Sequence, residues 1–282
     1  MNNRILYDKI IKNISKQVKK TLNENAVNDI LDDNSDDMVF QDIINNKLVK
    51  SFEELKDIVI KRIKAAPVIN GIIVPDLTKI YLSRDIDILS AYSVYDSGSE
   101  LRKISNGKGL FSIYTMYEAG LTENDKISID ISSWDVSNVS DFSNMFNGNY
   151  CVVSINMSGL DLSSLSSLSY MCEDCKNLKS INFNNVKTNN NSVCLYRAFK
   201  NCISLIKADF KDLHIKPDVL EHLFFNCRKL EYLDISNFDL TGTSYSSDDE
   251  KIFGNLKAIK EIHIPKELIS LLFFHRTNVK IN

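Results

Sequence analysis

The stretch DISSWDVSNVSDFSNMF (residues 130–146) mixes two chemistries. Asp, Ser and Asn, the residues of bends and turns, make up more than half of it. Between them Trp134, Val136, Val139, Phe142, Met145 and Phe146 are spaced as if facing one shared interior. A segment this polar cannot bury six large apolar side chains on its own. It can do so if copies of the same segment stack on it, and such copies are present.

Take Ile129, Ile155, Ile181, Ala208, Leu233 and Ile262 as anchors; the intervals are 26, 26, 27, 25 and 29 residues. Two residues after each anchor come Ile131, Met157, Phe183, Phe210, Ile235 and Ile264. Five after the first five come Trp134, Leu160, Val186, Leu213 and Phe238. Nine before the last five are Phe146, Cys172, Phe199, Phe224 and Phe253, and six before them Asn149, Cys175, Cys202, Cys227 and Leu256. Self-similarity at a period of this length is the mark of a solenoid, in which each coil buries its face on its neighbours. The anchor and its +2 partner alternate with polar residues, as in a short half-buried strand. Val139, Phe142, Met145 and Phe146, and likewise Leu165, Leu168, Met171 and Cys172, are spaced as a short helical face, with Ser140 and Ser166 placed to cap it.

DISSWDVSNVSDFSNMF, and the Phe-x-x-Cys-x-x-Leu pattern of FKNCISL and FFNCRKL, resemble the BspA-like leucine-rich repeat proteins. The resemblance spans residues 129 to about 264; Cys172 in place of Phe, the insertion KTNNNS and the stretch TGTSYSSDDE depart from it. It implies an extended recognition surface, often on cell exteriors, and no catalysis. The fold class expected is therefore α/β, a leucine-rich-repeat solenoid of about five to six coils of 25–29 residues, preceded by an amino-terminal amphipathic helix.

That helix is read from Leu6, Ile10, Ile14, Val18 and Leu22, a strict spacing of four. Residues 1–20 sum to +5, whereas residues 25–45 carry six Asp and no base, which reads as a self-repelling linker. The expected organisation is an anchor or oligomerisation helix at 1–24, a linker at 25–50, an amino-terminal cap at 51–128 with room for one degenerate coil, and the repeats with a carboxy-terminal cap at 129–282. In the cap, SFEELKDIVIKRIK carries a capping box at Ser51 and Glu54 and a stripe of Phe52, Leu55, Ile58, Val59 and Ile63 that ends at Pro67. GIIV and KIYL read as strands. YDKIIKNISKQVKKTLNEN is also similar to the basic segments that open several virion proteins of crAss-like phages of gut Bacteroidetes. That similarity implies a place in a virus particle, as a head fibre or decoration on the capsid.

The remaining features bound the function. A net charge of −3 and a pI near 5.9 give no pull toward nucleic acid. No run of 18 apolar residues occurs, so no membrane insertion is expected, and the first 20 residues lack the apolar core of a secretory signal. Six Cys in 282 residues are too few for a disulfide scaffold and read as reduced. Cys172 and Cys175 form a C-x-x-C, but no second pair completes a zinc site, and both fall in the repeat register, so they read as core. Cys175, Cys202 and Cys227 are expected to stack as free thiols. The four His lie beside no nucleophile motif, and no P-loop or dinucleotide turn is present. No enzyme and no cofactor are expected. Asn-x-Ser sequons at Asn13, Asn138, Asn156 and Asn190 read as composition.

Two candidate sites follow. One residue past each anchor, Asp130, Asn156, Asn182, Asp209 and Asp234, followed by His263, should form a polar ladder on an outer face, open to a host-surface protein or glycan. The helix with Leu6, Ile10, Ile14, Val18 and Leu22 should anchor the chain to other virion proteins or pair it with its own copies as a dimer or trimer. The function expected is a non-enzymatic virion structural and adhesion protein. The alternative is a bacterial surface adhesin or host-interaction protein of the BspA-like type.

Overall fold

The computed structural model describes residues 48–82, 86, 89, 109–243, 252–271 and 279–282. The helix read at 1–24 and all but the last three residues of the linker lie outside these.

A β-solenoid of about five turns forms the body. Its rungs are β5 (Ile127–Asp130), β6 (Val152–Asn156), β7 (Ser180–Asn182), β9 (Lys207–Asp209), β11 (Tyr232–Asp234) and β12 (Glu261–His263). All pair in parallel, and Ile129, Ile155, Ile181, Ala208, Leu233 and Ile262 stand opposite one another in that order. The six anchors are at most 5% exposed, so the spacing in the sequence is the stacking in space. β13 (Lys280–Ile281) pairs with β12 and closes the far end.

The near end is closed by the cap. Helix α1 (Phe52–Lys64) starts at Ser51, whose hydroxyl accepts from the Glu54 N–H at 3.2 Å; the Glu54 carboxylate accepts from the Lys50 N–H, one residue earlier than the usual capping box. Leu55, Val59 and Ile63 are its buried stripe. β2 (Val68–Ile69) and β3 (Ile72–Ile73) form a hairpin through Asn70 and Gly71, both with positive φ as a two-residue hairpin turn requires. β3 then pairs with β5 and carries the sheet into the cap. β1 (Leu48–Val49), at the end of the segment read as linker, pairs with β4 (Tyr81–Leu82). The indole N–H of Trp134 donates to Leu77 O at 2.8 Å, tying the first coil to the cap.

One expectation needs correction. Val139, Phe142, Met145 and Phe146 do not lie on a helix, and neither do Leu165, Leu168, Met171 and Cys172; both segments are successive turns. Met145 N donates to Phe142 O, Asn147 N to Asn144 O and Asn149 N to Phe146 O, each three residues back. The other amides leave the coil: Phe146 N bonds Met171 O at 2.8 Å and Gly148 N bonds Glu173 O at 2.8 Å. An α-helix must spend every amide four residues back, so a segment that uses alternate amides to hold the next coil cannot be one. Spacings of three and four arise here from turns whose ends point inward. Ser166 caps no helix; its N–H and hydroxyl both donate to Ser140 O, one coil earlier.

The same cross-coil bonds reveal a further coil before the first anchor. Phe111 N donates to Met145 O at 2.8 Å as Phe146 N does to Met171 O, and the rings of Phe111 and Phe146 stack at 5.2 Å. Phe111 thus begins a degenerate coil, followed by helix α2 (Ile113–Glu118), within the region expected to hold one.

The interior row of Cys has a structural duty. The thiols of Cys175, Cys202 and Cys227 donate to Phe146 O, Cys172 O and Phe199 O of the preceding coil at 3.0–3.1 Å. Each is small enough for the core and adds a second, weak bond to a carbonyl that already accepts the N–H three residues on. All six Cys are free, and only Cys194 is not fully enclosed. Burial pushes the Cys227 thiol up to about 12, against a hydrogen bond from Cys202, and pushes those of Cys172 and Cys202 up as well. In native protein a thiol reagent should therefore modify Cys194 alone within minutes, and all six after denaturation. Rapid labelling of more than two, or an intrachain bridge seen by mass, would contradict this packing.

Candidate functional site

The polar ladder stands in register as read: Asp130, Asn156, Asn182, Asp209, Asp234 and His263 face one another on successive rungs. Its first half is an amide chain, Asn182 Nδ2 donating to Asn156 Oδ1 at 3.1 Å and Asn156 Nδ2 to Asp130 Oδ2 at 3.0 Å. Most members also close a local turn, as Asp130 does by accepting from Ser132 N at 2.9 Å. Burial opposes the charge on Asp130, but hydrogen bonds from Ser132 and Asn156 outweigh it and hold the carboxyl below its ordinary value.

The second half of this face is charged and aromatic. Lys207 Nζ reaches Asp209 Oδ2 at 2.9 Å and lies 4.9 Å from the Tyr232 ring centroid; the Tyr232 hydroxyl donates to Asp234 at 3.2 Å. Desolvation, with Asp234 and Asp209 beside it, pushes the Tyr232 phenol up to about 12. Asp234 is buried and holds the Ser236 N–H and hydroxyl, so it is a turn residue as much as a surface one. Asp209 Oδ1 is enclosed without a hydrogen-bond partner.

A second feature was not found by reading the sequence. On another face of the solenoid a groove of about 500 Å3 runs across four coils. Its floor is the row Asp141, Ser167, Cys194 and Val219, joined by parallel bridges and by the pairing of β8 (Ser192–Cys194) with β10 (Lys216–Val219). Beside that row it is lined by Ser143, Ser169, Tyr196 and Glu221, each two residues on, and by Asn144 and Tyr170, each three residues on. The Tyr170 and Tyr196 rings meet edge to face at 5.2 Å, and the Arg197 guanidinium lies 4.9 Å from the Tyr196 centroid. Glu173 holds Arg197 at 3.7 Å and Lys200 at 3.1 Å. None of these positions belongs to the apolar register, which is why the repeat pattern passes over them; tyrosines in otherwise polar turns were the available signal.

Among the described residues, no group of three or more His, Cys, Asp or Glu is placed to hold a metal ion, and no helix is long and apolar enough to cross a membrane. The anchor positions Leu6, Ile10, Ile14, Val18 and Leu22 lie outside the described residues.

Residues 111–212 match the family model described as "Mycoplasma protein of unknown function, DUF285". The match opens at Phe111, where the degenerate coil opens, and takes in the groove as far as Tyr196. No curated protein and no solved structure matches the chain.

The carboxylates that close turns set an acid limit. Hydrogen bonds from Thr78 lower Asp76, those from Thr122 lower Asp125, and those from Thr241 lower Asp239, while Lys280 and His263 lower Glu261. A native pKa below the unfolded one gives stability that is complete above the unfolded value and lost as pH falls through the native one. The urea midpoint should hold steady from pH 7 to about 5 and fall below about pH 4; a midpoint that rises on acidification would contradict the assignment.

Proposed function

We propose that the chain is a non-enzymatic recognition protein of the BspA-like leucine-rich-repeat type, displayed on a surface through its amino-terminal segment. What supports this most directly is the register of the outer faces. One side chain per rung, about 4.8 Å apart, gives rows of hydroxyl, amide, carboxylate and aromatic groups over an interior that carries only packing. Such rows suit a wide partner bound by many weak contacts.

The place of display has two readings. Residues 1–24 favour a virion, as a capsid-surface head fibre or decoration in contact with other virion proteins. The family description names a Mycoplasma protein, a cellular and not a viral source; with the BspA-like resemblance, which implies an exposed recognition surface, the reading becomes the surface of a bacterial cell with a host-surface protein or glycan as partner. The comparisons lend the virion reading no support, and we place the chain on a cell surface. In either setting residues 1–24 attach the solenoid or pair it with its own copies as a dimer or trimer.

Three measurements test this. Labelled protein should be retained saturably by intact partner cells, with at least about tenfold loss in a variant altered on an outer face and no chemical change in what is bound; retention indifferent to every outer-face substitution, or turnover of the bound molecule, would overturn it. Antibody to the solenoid should label intact bacteria that carry the gene. Finding the protein only in purified phage particles would restore the virion reading. A chain beginning at residue 48 should keep its melting transition and lose attachment.

A further inference from the structure

We propose that the groove floored by Ser167 and Cys194 is a binding site for a short neutral oligosaccharide. This rests on the recognition reading above but not on the polar ladder, which lies on a different face.

The hydroxyls come first. Ser167 Oγ donates to Ser169 Oγ at 3.1 Å and lies 2.7 Å from Ser143 Oγ. A hydroxyl has one proton, so with Ser167 donating to Ser169, Ser143 must donate to Ser167. The chain is therefore polarised: Ser143 keeps both lone pairs at one end, and Ser169 keeps its proton at the other, beside Tyr170 and Tyr196. A polyol, whose hydroxyls each donate and accept, matches both ends.

The aromatic pair is the second argument. Tyr170 and Tyr196 meet edge to face in an open groove, and the Arg197 guanidinium lies against both rings, at 6.0 and 4.9 Å. Arg197 Nε is enclosed without a hydrogen-bond partner, so the side chain holds the rings in place at the expense of its own bonding. A rigid tyrosine face offers the C–H side of a sugar ring an apolar contact.

Backbone strain is the third. Asn144, Tyr170, Arg197 and His222 are equivalent positions on successive coils, with φ between 56° and 59°. Four residues on, the matching left-handed positions hold Gly148, Asp174, Asn201 and Asn226, types that tolerate it. The row that lines the groove with Asn144 and Tyr170 runs on to Arg197 and His222, so Tyr, Arg and His stand where the neighbouring row has Asp and Asn. Bulky side chains in left-handed conformation concentrate at functional sites because something other than folding has selected them.

Other ligands fit less well. Strand addition by a peptide needs open backbone groups, yet Phe142 N, Leu168 N and Leu195 N already bond Ser167 O, Cys194 O and Val219 O along this row. An anionic chain would meet Asp141 at one end and Glu221 at the other. Four coils span about 14 Å, the reach of a short oligomer.

The test is an immobilised panel of neutral gluco-, manno-, galacto- and N-acetylglucosamine oligomers, run beside uronic and sulfated saccharides and a library of extended peptides, using the full chain. At least one neutral oligomer should bind. Tyr196→Ala should weaken it at least about tenfold, Ser169→Ala about three- to tenfold, and Tyr196→Phe less than about threefold. Bound sugar should also slow alkylation of Cys194, a readout that requires no variant to fold. Retention of no neutral saccharide at millimolar concentration overturns the proposal, as does binding indifferent to Tyr196 and without protection of Cys194. Selective binding of peptides or of acidic saccharides in the groove overturns the ligand class and leaves the recognition reading standing. Cleavage of the bound oligomer overturns the non-enzymatic reading and leaves the groove standing.

Discussion

Phe210→Ala should lower the free energy of unfolding by about 3–5 kcal/mol, one of the two largest single-site effects expected in this chain. Phe210 is 1% exposed and joins two interior rows. Its ring lies 5.2 Å from Phe183, the equivalent residue one coil earlier, and 5.2 and 5.9 Å from Phe199 and Phe224 of the other row. The coil it serves is anchored by Ala208, the smallest of the six anchors. Truncation would leave a void bounded by three rings set on neighbouring coils. Those rings cannot close the gap, because cross-coil backbone bonds such as Phe199 N to Leu223 O fix each coil against the next. Coupling in a solenoid is between neighbours, so the loss should weaken cooperativity as well as the midpoint. Urea unfolding followed by circular dichroism should show an earlier transition, and hydrogen exchange should quicken from Lys207 onward before it does in the coils near Ile129. Ile206→Ala, at a position 46% exposed and four residues away in sequence, should change stability by less than about 0.5 kcal/mol. Equal effects from the two would mean that the aromatic rows do not carry the interior.

How much of this could be read from the residues depends on what each row does. Anchors such as Ile155 and Leu233 were legible because burial admits only apolar side chains there, and the same demand recurs at every coil. The segment Val139–Phe146 was misread as helical because turns and helices share apolar spacings of three and four; the difference lies in where the amides bond, which no pattern of side chains records. Phe111 was hard to place because α2 follows it where the other coils continue to a strand, so the period breaks after one residue in register. The groove was invisible for the opposite reason. Its Tyr and Glu residues answer to no interior constraint, and Tyr170 and Tyr196 become neighbours only by a diagonal shift between coils. The polar ladder was legible as a row, since it inherits the anchors' register, but its division of labour was not. Asp130 and Asn182 sit in the amide chain, while Asp234 is drawn inward by Ser236. A binding test on that face should therefore alter Asp130 and Asn182 and leave Asp234 intact.

Asn149→Ala should destabilise by about 3–5 kcal/mol, and the comparison that makes this informative is Asn149→Cys. Asn149 is fully enclosed and occupies the position that Cys175, Cys202 and Cys227 fill in later coils. Its amide donates to Phe111 O at 2.7 Å, the same cross-coil carbonyl contact that each thiol makes. Its Oδ1 also accepts from Cys151 N at 2.8 Å and Val152 N at 2.9 Å, which a thiol donating to a carbonyl does not replace. Alanine would orphan one carbonyl and two N–H groups in a dry interior, where each unmet group costs about 1–3 kcal/mol. Cysteine would restore the donor to Phe111 O and leave the two N–H groups wanting, so its loss should fall near two-thirds of that of alanine in urea midpoints. Should the two variants prove equal, the interior thiols would not be carbonyl caps, and their recurrence would need another cause. Should cysteine match the wild type, the two amides at the start of β6 would have to find partners elsewhere. The intermediate result is the one the geometry requires, because a thiol at this position keeps the cross-coil bond to Phe111 O, while the first full coil, resting on a degenerate one, must close two amides as well.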